Sequence, residues 1–186
     1  LKVMGEARAG ETGTTITFFP DATIFVDTIT FNFSRLGNRL RELAFLNPGL
    51  TIDLVDERPE SAEATTFFYS RGIEEFVLQL GENKALVHAD PIVLKGKREI
   101  EVDYDGKVTK DDVFADVVLQ YNDSYNDQIL CFANSLPNGD GGTHLTGFRT
   151  ALTRAVNVYA KGNKLLKEKD PSLSGDDVRE GLIAVI

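Results

Sequence analysis

The apolar positions change period several times along the chain. Residues 14–19 (TTITFF) are β-branched or aromatic and end at Pro20-Asp21, and residues 23–33 (TIFVDTITFNF) alternate, so the pattern predicts two extended segments. From Ser34 the period lengthens. Leu36, Leu40 and Leu43 fall at helical spacing, Arg35, Arg39 and Glu42 lie mostly off that stripe, and Asn47-Pro48-Gly49 is the stop. Leu50–Val55 and Thr65–Tyr69 read as a strand pair joined by the polar loop around Glu57–Glu63. Ile73, Phe76, Val77 and Leu80 mark a short amphipathic helix ended by Gly81.

The segment from Lys95 to Asp112 is dense in charge and contains Asp105-Gly106, so a hairpin or surface insertion is expected there. Residues 114–121 (FADVVLQY) and 128–136 (QILCFANSL) are strand candidates, and the loop SYND between them implies an antiparallel pair. Residues 145–161 separate cleanly on a helical wheel. Leu145, Phe148, Leu152, Ala155, Val156 and Tyr159 form one face; Thr146, Arg149, Thr150, Thr153, Arg154, Asn157 and Lys161 form the other. Thr143 is the expected N-cap, with Asp140 placed where a carboxylate favours a helix start. Ser174 and Asp177 form a short-armed capping box, and after Gly181 the run LIAVI reads as a buried strand. A strand at the very end implies that the natural chain continues. The order of elements predicts an α/β fold of the α+β type, with a mixed sheet and helices on one face.

A length of 186 residues with 42% hydrophobic content suits one domain, or one domain plus a piece of another. A net charge of -9 argues against a dedicated nucleic-acid binder and confines any DNA contact to a local patch. The single cysteine, Cys131, allows no intrachain disulfide and reads as a small core residue. No apolar run approaches the roughly 20 residues of a membrane span, and no signal peptide is visible. A cytoplasmic protein, present here as a piece of a longer one, is the simplest reading.

The stretch GDGGTHLTGFRTALTRAVNVYAK, Gly139 to Lys161, is the candidate for chemistry. A phosphate-binding loop of the Walker type needs a Lys-Ser/Thr pair after the last glycine, and none is present. The glycine intervals do not match a dinucleotide fingerprint either. The loop therefore reads as a tight turn and helix cap more readily than as a nucleotide cradle. Arg149 and Arg154 are a solvated face on an isolated surface helix, or contacts to a phosphate backbone if they face a cavity. His88 and His144 have no Cys, His or Asp cluster around them in sequence, so no metal site is expected. There is no G-x-S-x-G nucleophile elbow.

RLRELAFLNPG (39–49), DGGTHLTGFRTALTR (140–154) and GDDVREGLIAVI (175–186) closely resemble the DNA gyrase B-subunit family, with TGTTITFFPD (12–21) and SRGIEEFV (70–77) agreeing in the same order. The B subunit of topoisomerase IV shares much of this pattern. A related ATPase-plus-transducer architecture occurs in a heat-shock chaperone family and in mismatch-repair ATPases, from which the GGTHLTGF and DDVREGLIAVI motifs differ.

The resemblance implies that residues 21–186 are the transducer. Its expected fold is like domain 2 of small-subunit ribosomal protein five, with a left-handed β-α-β crossover. Residues 1–20 would be a remnant of the last strand of the upstream ATPase domain, with Thr14 a neighbour of the ATP pocket. The resemblance further implies ATP and Mg2+ as cofactors of the parent protein. Its implied partners are the gyrase A protein, a second gyrase B protein and double-stranded DNA. Arg149 and Arg154 match family arginines that face the DNA cavity. The pocket residues and the lysine of a Gln-Thr-Lys loop match no part of this chain, so no catalytic residue is expected in it and the chain alone is expected to be inactive.

Overall fold

The computed structural model describes Gly5 and residues 13–60, 62–167 and 169–186. The remaining positions, which include most of the first twelve residues of the expected upstream remnant, lie outside the described residues. Helix α1 (Phe33–Leu46) opens on Asn32, whose side-chain oxygen accepts from the Arg35 backbone N–H at 2.8 Å. It is followed by the antiparallel pair β1 (Thr51–Asp56) and β2 (Glu63–Phe68), the strand pair expected around a polar loop. Helix α2 (Ile73–Gly81) buries Phe76 and Val77.

The charged segment is a long hairpin, β3 (Ile92–Tyr104) and β4 (Lys107–Tyr121). Asp105 and Gly106 form its two-residue turn with φ of 52° and 82°, the pair of positive values that a type I′ turn requires. Lys97 and Lys110 reach Asp112 and Glu99 across the strands at 2.7 and 2.6 Å. The pairs are exposed, so each contributes about 1 kcal/mol or less.

The sheet is mixed, in the order β3-β4-β8-β5, where β5 is Gln128–Leu130 and β8 is Leu182–Val185. β8 runs antiparallel to β4 and parallel to β5. The expected direct pairing of residues 114–121 with 128–136 is therefore corrected: β8 lies between them. Every residue of β8 is buried, so both of its edges and both of its faces must be covered, which only a central position supplies. The run 128–136 is also not one strand. It breaks into β5, β6 (Phe132–Ala133) and β7 (Leu136–Pro137), because Asn134 and Ser135 adopt φ of 48° and 64° and turn the chain back. Arg39 on α1 donates to the Ser135 carbonyl at 2.9 Å and holds that turn.

The last two helices are α3 (Thr143–Gly162) and α4 (Gly175–Arg179). The parallel strands β5 and β8 with α3 between them make the β-α-β unit of the expected fold. The helices divide between the two faces of the sheet, rather than sharing one. Val118, Ile183 and Val185 pack with Phe45, Phe76 and Val77 of α1 and α2. Their alternates Leu119, Leu182 and Ala184 pack against Phe148 and Leu152 of α3. A strand that is apolar at every position has two dry faces to cover, and one helical layer covers only one.

Two expectations near the N-terminus fail. Residues 13–32 contain no strand, and Ile16, Phe18, Phe19, Ile24, Phe25 and Val26 are each more than half exposed. Their alternation is genuine, but a strand exists only with a ladder partner, and none of the described residues pairs with them. Asp21 forms a turn instead, accepting from the backbone and hydroxyl of Thr23 at 2.8 and 2.7 Å.

Candidate nucleic-acid interface

Helix α3 starts on Gly142, not on Thr143, and no side chain caps it. A Cβ at Gly142 would come within 3.0 Å of the Asn138 amide and the His144 ring, and one at Gly141, where φ is 74°, within 2.6 Å of Leu145. The glycines thus let neighbouring side chains close over the helix start, while Thr143 is drawn into the first turn. Leu145, Phe148, Leu152 and Val156 are half-buried, but Ala155 and Tyr159, expected on the same apolar face, are exposed. The sheet face that α3 meets is narrow, so only the central stripe of the helix is covered.

The polar side of α3 has a consistent chemistry. The hydroxyls of Thr146, Thr150 and Thr153 each donate to the carbonyl four residues back, at 3.3, 2.8 and 2.8 Å. With their protons so used, these threonines present only acceptor lone pairs, and the N–H donors of the surface come from the arginines. Lys161 donates to the Ser172 hydroxyl at 2.8 Å, and Asn157 exchanges two hydrogen bonds with the Leu173 backbone, fixing the segment that leads into α4 against α3.

Arg149 and Arg154 differ. Arg154 makes no hydrogen bond or ion pair among the described residues and borders open hollows on both sides of its helix face. Arg149 is 42% exposed at its side chain and approaches Asp127 Oδ2 at 3.7 Å, while its Nε is buried without a hydrogen-bond acceptor. Arg179 of α4 reaches the same carboxylate oxygen at 3.3 Å through Nε and Asp176 at 2.5 Å through Nη2. The Nε contact to Asp127 lacks hydrogen-bond alignment and is an ion pair only.

The three arginines converge on one hollow between α3 and the start of α4, lined by Arg149, Arg154, Arg179, Thr150, Thr153, Asn157 and Gly175, with no carboxylate in the lining. In a chain of net charge -9 this is a local cationic surface, of the kind that attracts phosphate. The sequence pattern does not single out Arg179 or Asp127. Arg179 falls in a helix-start motif and Asp127 in a loop, and nothing local connects positions 127, 149 and 179.

The other candidates are placed apart. Thr14 is exposed. His88 is held in one tautomer by structure: Nδ1 donates to the Asp90 carbonyl at 2.8 Å and Nε2 accepts from the Tyr121 backbone N–H at 3.0 Å. His144 lies at the helix start with Nε2 buried and unpartnered. Among the described residues no three His, Cys, Asp or Glu side chains group to hold a metal ion, and no helix is long and apolar enough to cross a membrane.

A mixed-sheet α/β unit of this kind is found in solved structures. The 43K ATPase domain of Thermus thermophilus gyrase B, solved with an aminocoumarin, superposes with a TM-score of 0.76 at 38% identity, covering 99% of this chain and 46% of that one. A topoisomerase IV ATP-binding domain from Francisella tularensis, at 23% identity and a TM-score of 0.60 over 86% of this chain and 38% of that one, shares the fold. The family model described as DNA gyrase B matches residues 72–186. The DNA gyrase B protein of Streptococcus pneumoniae is 41% identical over all 186 residues, and that of Clostridium acetobutylicum 47% identical over 176 residues. The chain belongs to the DNA gyrase B family. It spans 26% and 25% of the length of those two relatives.

Proposed function

We propose that residues 21–186 are the transducer of a DNA gyrase B protein, with residues 1–20 the end of its ATPase domain. In the parent protein this unit couples ATP binding and hydrolysis to dimer-gate closure and strand passage. ATP and Mg2+ would be held in the upstream domain. The gyrase A protein, a second gyrase B protein and double-stranded DNA would be the partners, in the cytoplasm. The observation that carries the reading is the seating of α3: Phe148 and Leu152 anchor it to the central strand while Arg149 and Arg154 line the hollow on its polar side. A stiff layer of this kind transmits rigid-body rotation and presents a DNA-facing wall on its outer side. Membership of the family supports gyrase-type supercoiling over topoisomerase IV decatenation as the parent activity.

The test is duplex-DNA binding by the purified chain across a salt series, beside a variant carrying Arg149→Ala and Arg154→Ala. Each phosphate contact contributes about -0.9 to the slope of log K against log salt. The double variant is expected to bind more weakly at low salt with a slope shallower by about 2. Equal binding by both proteins, or by neither, refutes the DNA-facing role. Robust ATP turnover by the purified chain refutes the assignment of the nucleotide chemistry to the rest of the parent.

A further inference from the structure

Arg149, Arg154 and Arg179 line one hollow that has no acid in its lining, while the carboxylate that two of them share, Asp127, sits in the adjoining hollow on their other side, with Asp176 and Glu180. The sharing is unequal and incomplete. One oxygen, Asp127 Oδ2, stands 3.3 Å from Arg179 and 3.7 Å from Arg149, and the buried Nε of each arginine lacks an aligned acceptor. Two guanidiniums thus lean on a single carboxylate oxygen, Arg179 keeping an aligned hydrogen bond to Asp176 through Nη2 besides, with donor capacity left over. Gly175 contributes the space: a Cβ there would stand 2.7 Å from Arg179 Nη1, so the guanidinium lies against the bare glycine.

Resting on the DNA-facing reading above, we propose that Arg179 is the third arginine of a binding surface for backbone phosphates of duplex DNA, and that Asp127 is its built-in competitor. In the free protein Asp127 engages Arg149 and Arg179 from the side away from the hollow that they line. A phosphate entering the hollow supplies the aligned acceptors that Asp127 does not, and the donors of the two arginines not taken up by Asp176 turn from Asp127 to it. Asp127 thereby weakens binding and keeps the contact readily reversible, as a duplex that must pass along the wall requires. Arg154, with no internal partner among the described residues, makes the first contact.

The experiment is the same salt series, run on the wild type and on Asp127→Asn, Asp127→Glu, Arg179→Ala and Glu101→Gln, with thermal unfolding of each to confirm the fold. Asp127→Asn is expected to bind duplex DNA about three- to ten-fold more tightly at low salt, with a steeper slope, because freed arginines neutralise more phosphate. Asp127→Glu, which keeps the charge, should return towards wild type. Arg179→Ala should bind several-fold more weakly, with a slope shallower by about 1. Glu101→Gln removes one negative charge from the hairpin, far in sequence from the hollow, and controls for net charge. Unchanged binding in Asp127→Asn or in Arg179→Ala, or an equal gain in Glu101→Gln, overturns the proposal. If the Arg149 and Arg154 double variant still binds more weakly in that case, the DNA-facing reading stands without it. If no protein in the set binds, both fall.

Discussion

Asn122 donates twice to one carbonyl: its backbone N–H and its side-chain Nδ2 reach the Gly181 oxygen at 2.9 and 2.7 Å. Asn122 follows β4 and Gly181 precedes β8, so this pair of hydrogen bonds sets the register of the central strand. The approach is so close that a Cβ on Gly181, whose φ is 71°, would stand 2.1 Å from the Asn122 carbonyl oxygen and 2.9 Å from that of Ser124. Gly181→Ala should therefore destabilise the protein by at least ~3 kcal/mol, through backbone strain and steric overlap together. Gly106 has a similar φ of 82° with nothing within 4 Å of a Cβ, so Gly106→Ala isolates the conformational cost at roughly 1–2 kcal/mol. Urea unfolding of both variants checks the difference; equal losses would show that the contact with Asn122 costs nothing.

The capping box at α4 is reciprocal. Ser174 Oγ accepts from the Asp177 N–H at 3.2 Å, and the Asp177 carboxylate accepts from the Ser174 N–H at 2.8 Å. Ser174→Ala should cost about 1 kcal/mol. Hydrogen bonding to Ser174 holds the Asp177 carboxyl below its ordinary 3.8. A depressed carboxyl stabilises the fold above its unfolded pKa and loses that contribution as pH falls through the folded value. The deficit of Ser174→Ala, followed by denaturation at several pH values, should be full at neutral pH and shrink in acid below pH ~4.

Phe45 is 1% exposed and stacks on Tyr69, with ring centroids 3.6 Å apart, and on Phe76, at 4.6 Å. It joins α1 to α2 over the sheet. Phe45→Ala should cost roughly 3–5 kcal/mol, whereas Phe114→Ala, on an exposed ring of the hairpin, should cost far less. Thermal or urea melts of the two variants provide the comparison.

Burial pushes the Cys131 thiol up, against a weaker pull downward from the Arg149 charge. At 6% exposure it has little thiolate and little access. Alkylation by iodoacetamide should be at least ~100-fold slower in the native protein than in urea, where opening no longer limits the reaction. Rapid native alkylation would show that the link between β5 and β6 at Cys131 opens readily.

Local features were legible from residue types because their causes are local. The helices at 33–46, 73–81 and 143–162 follow from apolar spacing and stop residues, the β3–β4 turn from Asp105-Gly106, and the α4 start from Ser174 and Asp177. The family itself was legible because long motifs recur in order. The cationic hollow was half legible: Arg149 and Arg154 share a helix face by periodicity alone, but Arg179 and Asp127 join them only through folding, from 30 and 22 residues away in the chain.

Periodicity, capping and turn chemistry belonged to the sequence, since each is an interaction among residues within a turn or two of one another. The placement of β8 between β4 and β5, the split of the helices over two faces, the breaking of 128–136 and the lack of a ladder partner for residues 13–32 among the described residues belonged to the assembled molecule. A strand's partner, unlike its pattern, is chosen by where buried surface can be covered on every side at once, and that is a property of the whole packed chain.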